Sequence, residues 1–483
     1  MNNYKIIKFI GKDYSKIDDT EIDVSCTDTS IYSYVEANKR KILDDFLVDV
    51  TNDYPNLIIN SRNDQKYDFY DPKFNEGIYG GIVGVINKDI TYIDEEDNNK
   101  PHKFNITLEI LTRFDKDIKK PYFLSTLLFG DKIKLNDKVF STNVWEDLFK
   151  YLFVYWFNED FEKAYLKGFY KTYNSFEENG YRIKGNIDFA RYIKSNIFYD
   201  NGRITYTYRE NNIDNYFNHM LVATYESLKR MYPKLVIESI DNDYEIGEPL
   251  NQLKLDINYG KYDIRTIIFK NLQAISHPYF YEYEKLRKTC LLILRNEGVD
   301  IFNVDVDNNE VKGVLFYIPD LWELYLENIM DRHALKYVAQ HSIKVFGNVE
   351  GGFIGSYNTR PDYLFGENNN YYMILDAKFK PGWRNALNGN LNSYLADDYD
   401  KCIRDMNTIN AHKTGTIFPI LFDKNVDKTK YIEEHRVSKY NEDVFYTIPV
   451  KIPKSEDYSY SEWKKELNAN IEDFMNDLKS KVN

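Results

Sequence analysis

The sequence contains few cysteines and no long apolar run, and both shortages limit what the protein can be. Its three cysteines, Cys26, Cys290 and Cys402, lie far apart without a C-x-x-C pair, which argues against a disulfide framework and a cysteine-rich zinc site. The longest apolar run, YLFVYWF at residues 151–157, is far shorter than the ~20 residues that cross a bilayer. The opening stretch MNNYKIIKFIGK lacks the apolar core of a signal peptide. We therefore expect a soluble, cytoplasmic protein with no membrane partner.

Clustered positive charge is missing as well. The formal net charge is −13, and attraction to nucleic acid over a whole chain requires clustered Lys and Arg. Any contact with nucleic acid must therefore be local or shared with a partner. The sequence also lacks the H-E-x-x-H motif, the G-x-x-x-x-G-K-[ST] phosphate loop and a Ser nucleophile elbow. These absences argue against a zinc protease, a P-loop motor and an α/β-hydrolase.

What is present indicates an α+β protein of several domains. Hydrophobic residues make up 43% of the 483 residues, which is enough to bury large cores. Strand-like segments such as GGIVGVINKDITYI and FNITLEILTRF dominate the first part, whereas helical spacing begins near Val144 and recurs from Tyr216 to Tyr232. We predict a β-rich, partner-docking N-terminal domain at residues 1–140, a helical middle region at 141–310 and a C-terminal domain at 311–483.

The C-terminal domain has an informative order of elements. A helix (DLWELYLENIMDRHAL) is followed by three short strands (SIKVFG, RPDYLF and YYMILDAKFK), a second helix (DDYDKCIRDMNTINAH) and another strand (TIFPILF). This order is α-β-β-β-α-β. The tail begins with a capping box at Ser459 and continues as an amphipathic helix. Docking of this helix on its own domain is favoured over binding to a partner.

Two charged residues stand out in the strand YYMILDAKFK. Alternation places Asp376 and Lys378 on one face, and burying either charge costs several kcal/mol unless it is paired or bound to a metal. Asp362 precedes them on the neighbouring strand, and a turn through Gly366, Asn368 and Asn370 would bring it back beside Asp376. Two carboxylates and an amine would then converge. The alternative is a simple ion pair at a sheet edge.

This arrangement suits Mg²⁺, with Mn²⁺ as a substitute, because Mg²⁺ accepts one or two carboxylates and keeps several waters. The implied reaction is hydrolysis of a phosphodiester. A third acid is expected on the preceding helix, where Glu323 and Glu327 lie four residues apart on one face. We prefer Glu323, next to the apolar stripe, as the metal or metal-water ligand, although a solvated helix face explains either glutamate equally well.

The same residues resemble the PD-(D/E)xK nuclease superfamily, with Arg360-Pro361-Asp362 as the first element and Asp376-Ala377-Lys378 as the second. The sequence around these elements is similar to that of McrC, the nuclease subunit of McrBC-type restriction systems, and to that of LlaJI-type subunits. Upstream segments extend the similarity: ITLEILTRFD, PYFLSTLL, YLKGFYKTY, RIKGNIDFARYIK and DNYFN. The resemblance implies that Asp362, Asp376 and Lys378 are catalytic and that Glu323 is the acid of the first helix.

The resemblance also implies a function and a partner. McrC-like proteins act with a McrB-like AAA+ GTPase or ATPase on double-stranded DNA, so we expect a Mg²⁺-dependent DNA endonuclease subunit of an anti-phage restriction system. The later helix of the family carries Gln or Lys followed by Tyr, and here Lys401 and Arg404 lie in that segment. Two alternatives are a non-catalytic assembly subunit that activates or bridges the motor, and a standalone structure-specific nuclease.

Overall fold

A computed structural model describes most of the chain. The described residues are 5–24, 27–53, 58–59, 79–94, 100–115, 120–130, 144–195, 202–275, 278–295, 312–344, 358–367, 370–383, 393–422, 432–437, 442–456 and 458–482. Cys26, Asn368 of the predicted turn and the second half of the predicted strand SIKVFG lie outside them.

The structure combines helices with strands throughout, so the architecture is mixed α and β, as the sequence predicts. The described helices are α1 (Tyr32–Asp53), α2 (Tyr122–Phe129), α3 (Val144–Tyr165), α4 (Phe189–Ser195), α5 (Tyr216–Met231), α6 (Pro233–Val236), α7 (Tyr244–Asp256), α8 (Ile264–Lys270), α9 (Tyr281–Arg295), α10 (Ile318–Arg332), α11 (Ser393–Ile409) and α12 (Tyr460–Val482). None of these helices has the length and apolarity needed to cross a bilayer.

The described strands range from two to thirteen residues in length. They are β1 (Lys5–Lys12), β2 (Glu21–Ile22), β3 (Ile58–Ile59), β4 (Ile82–Asp94), β5 (Lys100–Leu111), β6 (Thr172–Gly180), β7 (Asn186–Ile187), β8 (Ile204–Asn212), β9 (Lys312–Tyr317), β10 (Val338–Ala339), β11 (Ile343–Lys344), β12 (Asn358–Thr359), β13 (Tyr363–Glu367), β14 (Asn370–Ala377), β15 (Lys413–Phe422), β16 (Glu433–Arg436) and β17 (Val444–Pro453).

The chain divides into two compact units. The first comprises Met1–Asp147 and Asp300–Asn483, and the second is Leu148–Val299. This grouping differs from the predicted division at residues 1–140, 141–310 and 311–483. The reason is β9, which follows the middle region yet pairs antiparallel with β4 and parallel with β3. Segments before and after the middle region therefore form one sheet.

The N-terminal sheet of the first unit has the order β2-β1-β5-β4-β9-β3 within the described residues. Its long strands β4 and β5 match the predicted segments, because their alternating apolar side chains pack into a shared core. The prediction of mainly strands was incomplete, however, since α1 packs on this sheet. Its buried side chains recur at helical spacing: Val35, Ile42, Leu43, Phe46, Leu47 and Val50.

The second unit contains the predicted helices α3 and α5, but it is not purely helical. Strand β8 pairs antiparallel with both β6 and β7 in a small sheet. The prediction of a helical middle region is wrong in this respect. Strand β6, with the sequence TYNSFEENG, carries only half-buried and exposed side chains, so its sequence lacks the apolar alternation that identifies a strand.

The second large sheet of the first unit has the order β10-β13-β14-β15-β17-β16 within the described residues. Helix α10, strands β13 and β14, helix α11 and strand β15 follow in the predicted order. Two expectations need correction. Strand β11, from the predicted SIKVFG segment, pairs with β12 in a separate small sheet, so β10 is the first strand beside β13. Strand β17, parallel to β15, was not predicted, because Pro449 and Pro453 disfavour a strand assignment.

Helix α2 connects the two large sheets of the first unit. The Asp115 carboxylate accepts hydrogen bonds from the backbone N–H groups of Phe123 and Leu124, which fixes the start of α2. Phe123 then packs against Trp322 of α10 and against Phe379, which follows β14. The end of β14 is therefore supported by aromatic side chains from the N-terminal part of the chain.

Helix α12 docks on its own unit, as predicted. It contacts β17, and one face of the helix is buried along its length. Trp463 is fully buried, and its indole N–H donates to the backbone carbonyl of Pro453 at 2.8 Å. The capping box at its start is present, since the Glu462 carboxylate accepts from the backbone N–H of Ser459 at 3.0 Å.

Replacing Trp463 with alanine should destabilise the first unit strongly. Loss of a buried large aromatic side chain costs about 3–5 kcal/mol of unfolding free energy, because the cavity does not refill completely. Urea unfolding followed by circular dichroism measures the change. The matched control is Lys465→Ala on the exposed face of α12, which should shift the free energy by less than about 0.5 kcal/mol. Equal effects of both substitutions would contradict the docking of α12.

Candidate active site

The hairpin of β13 and β14 brings two aspartates together. Its register pairs Tyr363 with Leu375, and one further step along the ladder places Asp362 opposite Asp376. The backbone N–H of Ala377 donates to the Asp362 carboxylate at 2.7 Å, which fixes the orientation of this side chain. Both aspartates are buried, at 7% and 2% exposure. The convergence that the sequence predicts is therefore present.

Asp376 is surrounded by positive charge. The Lys378 ammonium lies 2.6 Å from one carboxylate oxygen, and the Lys401 ammonium of α11 lies 2.9 Å from the other. Lys378 also lies 3.3 Å from Asp398, which in turn pairs with Lys380 at 3.1 Å. The result is a row of alternating charges along the end of β14 and the face of α11.

Glu323 of α10 is connected to Asp362 through the side-chain amide of Gln340. The Gln340 side chain donates to Glu323 and to Asp362, both at 3.0 Å. The Tyr363 hydroxyl donates to the backbone carbonyl of Glu323 at 2.9 Å, which fastens α10 to β13. Gln340 has a positive φ of 52°, a conformation that non-glycine residues rarely adopt and that often occurs at functional sites. Of the two candidate glutamates, Glu323 is therefore beside Asp362, whereas Glu327 contributes a backbone carbonyl to Tyr337.

The pKa values of the two aspartates are shifted in opposite directions. Burial, together with the negative charges of Asp376 and Glu323, raises the pKa of Asp362 well above its ordinary value. Burial acts in the same direction on Asp376, but the charges of Lys378 and Lys401 outweigh it and lower the pKa of Asp376 below its ordinary value. Burial would lower the pKa of Lys378, yet Asp376 and Asp398 raise it, so this ammonium stays charged.

The donor set fits a hard divalent cation held by few protein ligands. Asp362 and Asp376 offer oxygen ligands, and the raised pKa of Asp362 indicates negative charge that a cation would compensate. Across the part of the chain that the structure describes, no group of three or more His, Cys, Asp or Glu side chains is placed to bind a metal. A divalent cation such as Mg²⁺ would therefore have the two aspartates as carboxylate ligands here, with waters completing its shell, and the predicted third ligand, Glu323, is linked to Asp362 through the Gln340 amide.

The structure also shows what sequence reasoning missed. The alternative of an ion pair at a sheet edge is contradicted only in its location: Lys378 does pair with Asp376, but β14 lies between β13 and β15 inside the sheet. Gln340 and Asp398 do not belong to a recognised sequence motif, so the sequence did not predict them as part of the site. Lys401 was recognised only through the family resemblance, and it contacts Asp376, whereas Arg404 lies beside Asp405 instead. The spacing of Asp398 and Lys401, three residues apart on one helix face, was the available pattern.

A comparison with family models identifies the family of this chain. The family model for McrBC 5-methylcytosine restriction system components matches residues 86–400, which places the chain among proteins of restriction systems. Because this match covers well over half of the sequence, the chain belongs to the McrBC family. The resemblance inferred from the sequence is therefore confirmed at the level of the family.

Two solved structures are similar over much of their length. One is a chain of the refined half-complex from the tetradecameric assembly of Thermococcus gammatolerans McrB AAA+ hexamers with bound McrC, at 14% identity and a TM-score of 0.47, covering 98% of this chain and 100% of that one. The other is from the cryo-EM structure of the Thermococcus gammatolerans McrBC complex, at 15% identity and a TM-score of 0.30, covering 69% and 89%. The sequence has no match among curated proteins.

The raised pKa of Asp362 predicts how metal-free stability depends on pH. A carboxyl group with a higher pKa in the folded state stabilises the fold below its unfolded pKa, and this contribution is lost as pH rises through the folded pKa. In a chelating buffer the unfolding free energy should therefore fall above about pH 4, by up to ~1.4 kcal/mol per pH unit. Asp362→Asn should make this fall less steep, and the part that remains comes from groups such as Asp13 and Asp115, whose pKa values burial also raises. Urea unfolding across pH measures it, and Asp400→Asn on the exposed side of α11 should keep the wild-type slope.

Proposed function

We propose that this chain is the Mg²⁺-dependent DNA endonuclease subunit of a McrBC-type restriction system. The observation that carries the proposal is the pairing of two buried aspartates from adjacent strands, with Lys378 2.6 Å from Asp376. Membership of a restriction-system family supports nucleic acid as the substrate. We assign the α10–β10–β13–β14–α11–β15 segment to a PD-(D/E)xK nuclease core, with Asp362, Asp376 and Lys378 as its catalytic residues.

Each residue has a role that follows from its contacts. Asp362 and Asp376 would hold the cation, because the register of the hairpin places them opposite each other on adjacent strands. Lys378 is half-buried and charged, so it can neutralise negative charge that develops on a phosphate in the transition state. Lys401 keeps Asp376 ionised, and Gln340 orients Asp362 relative to Glu323. A bound Mg²⁺ supplies a Lewis acid and a water of lowered pKa.

A partner is part of the proposal. The Thermococcus gammatolerans assembly contains McrB AAA+ hexamers with bound McrC, and we propose that this chain likewise works with a McrB-like AAA+ NTPase on double-stranded DNA. The sequence has no phosphate loop of its own, which fits a subunit whose motor is a separate chain. In this proposal the N-terminal part of the first unit serves as the partner-docking surface.

Cleavage by the chain together with its partner should depend on the aspartate–lysine pair. With plasmid DNA, Mg²⁺ and nucleotide present, Asp376→Asn and Lys378→Ala should each reduce the cleavage rate by about a hundredfold or more, because charge stabilisation at the phosphate is lost. Asp400→Asn should cleave at the wild-type rate, since its side chain is exposed on the same helix as Lys401.

The two alternatives predict different outcomes in this assay. A non-catalytic assembly subunit would stimulate the partner's NTPase but leave DNA intact under every condition. A standalone nuclease would cut without the partner. Unchanged cutting by both site variants, with their fold verified by circular dichroism, would remove the assignment of the active site.

Binding of Mg²⁺ should also be visible without any cleavage. A ligand that binds only the folded state stabilises it by about 2.7 kcal/mol at one hundred times its Kd. Thermal unfolding of the wild-type chain should therefore shift upward with added MgCl₂, as should that of the Asp400→Asn control. Asp362→Asn and Asp376→Asn should lose most of the shift. Equal shifts in all four proteins would place the metal elsewhere.

A further inference from the structure

The second unit contains an open cleft of about 590 Å³, formed by β6 together with α5 and α8. This volume is in the range of about 300–1,000 Å³ typical of ligand sites. Its lining combines flat aromatic rings with amide and ammonium groups, and the aromatic members are Tyr170, Phe176, Tyr216, Phe217 and Tyr262. None of the residues assigned to the active site belongs to this unit.

The cleft is built by two segments on which the family resemblance partly rests, YLKGFYKTY and DNYFN. The side-chain amides of Asn215 and Asn218 both donate to the backbone carbonyl of Tyr170 at 2.9 Å. The Asn174 amide donates to the backbone carbonyl of Asp214, also at 2.9 Å. These bonds fasten the start of β6 to the start of α5. The cleft is therefore shaped in advance, without a ligand to order it.

Two tyrosines and two lysines form the chemically distinctive part of the lining. The rings of Tyr216 and Tyr262 lie 4.6 Å apart between centroids. The Lys261 ammonium lies 5.1 Å from the centroid of Tyr262, and the Lys270 ammonium lies 5.7 Å from that of Tyr216. Both lysines are exposed and, within the described part of the chain, neither forms a salt bridge, so both ammonium groups are accessible to an external anion, although Lys261 also donates to the Tyr262 hydroxyl.

The other charged groups of the cleft are already engaged. The Arg287 guanidinium binds the Glu284 carboxylate and the backbone carbonyl of Asn271. Asp214, the acid in the lining, accepts from the Nε2–H of the buried His219 ring at 2.7 Å. Lys261 and Lys270 therefore supply the net charge of the cleft toward a ligand, and that charge is positive on a chain whose overall charge is −13.

We propose that this cleft binds single-stranded DNA, with bases stacking on Tyr216 and Tyr262 and phosphates contacting Lys261 and Lys270. Aromatic side chains beside a track of positive charge are the features by which proteins bind single strands without reading sequence. A duplex presents its bases stacked on one another, so only an unpaired strand offers base faces to the tyrosines. The site extends the proposed function and does not depend on it, because it lies in the second unit and needs no metal.

Binding of a fluorescein-labelled oligothymidylate of about ten nucleotides tests the proposal by anisotropy, with the full chain in EDTA so that no cleavage occurs. Tyr262→Ala should weaken binding roughly 5- to 150-fold, the range for loss of one stacked base, whereas Tyr262→Phe should bind like the wild type. Changing Lys261 and Lys270 together to glutamine should reduce the slope of log K against log salt by about 1.4.

Matched controls lie on the same unit outside the cleft. Tyr244→Ala removes a ring that is 79% exposed, and Lys234→Gln removes an exposed lysine of α6. Neither should change affinity or salt slope. A second measurement uses 4-thiothymidine in the oligonucleotide, which should crosslink on irradiation to peptides containing Tyr216 or Tyr262.

Three results would overturn the proposal. These are no binding by the wild-type chain at low salt, affinity unchanged in folded Tyr262→Ala and double-lysine variants, and displacement of the oligonucleotide by an equal concentration of thymidine monophosphate. The last result would assign the cleft to free nucleotides. Failure of this proposal can be told apart from failure of the nuclease proposal. Asp376→Asn should leave the affinity for the oligonucleotide unchanged while it strongly reduces cleavage.

Discussion

Two ammonium groups keep Asp376 ionised in the interior of a sheet, and the arrangement of the candidate active site depends on this pairing. Removing a carboxylate from water costs several kcal/mol unless opposite charges compensate it, and Lys378 and Lys401 provide that compensation from two different elements. Asp362, on the neighbouring strand, has no such pair and is pushed toward its neutral form. Neighbouring acids whose pKa values are driven apart are a common property of catalytic sites.

The surrounding structure keeps this charged hairpin in place. Arg113, which follows β5, forms an ion pair with Asp13. Its guanidinium also donates to the backbone carbonyl of Phe379, three residues after Asp376. The Trp322 indole donates to the carbonyl of Ile417 at 3.4 Å, and the backbone N–H of Lys378 donates to the same carbonyl at 2.8 Å. The strand β14 is therefore held by contacts from the N-terminal sheet, from α10 and from β15. Such support from rigid elements is what a site with precise geometry requires.

Much of the candidate site was predictable from sequence because its key residues are close along the chain. A hairpin relates Asp362 to Asp376, so local alternation and turn residues sufficed to place both. Gln340 could not be foreseen, since its role depends on a left-handed backbone and on the packing of β10 against β13. Helix α1 has apolar residues at helical spacing, but it lies between strand-like segments and was not predicted. Strand β6 is polar and β17 contains prolines, so the sequence of each is unlike a typical strand and its pairing is decided by partners elsewhere in the chain.

The pairing of β9 with β4 makes Leu148–Val299 an insertion between two strands of one sheet. During synthesis β4 is made more than two hundred residues before β9. Until then the growing chain has an unsatisfied edge of backbone N–H and C=O groups along an apolar strand, which is the kind of surface that joins strands of other molecules. A product truncated before Lys312 would keep that edge permanently, so incomplete chains should aggregate even where the inserted unit has folded.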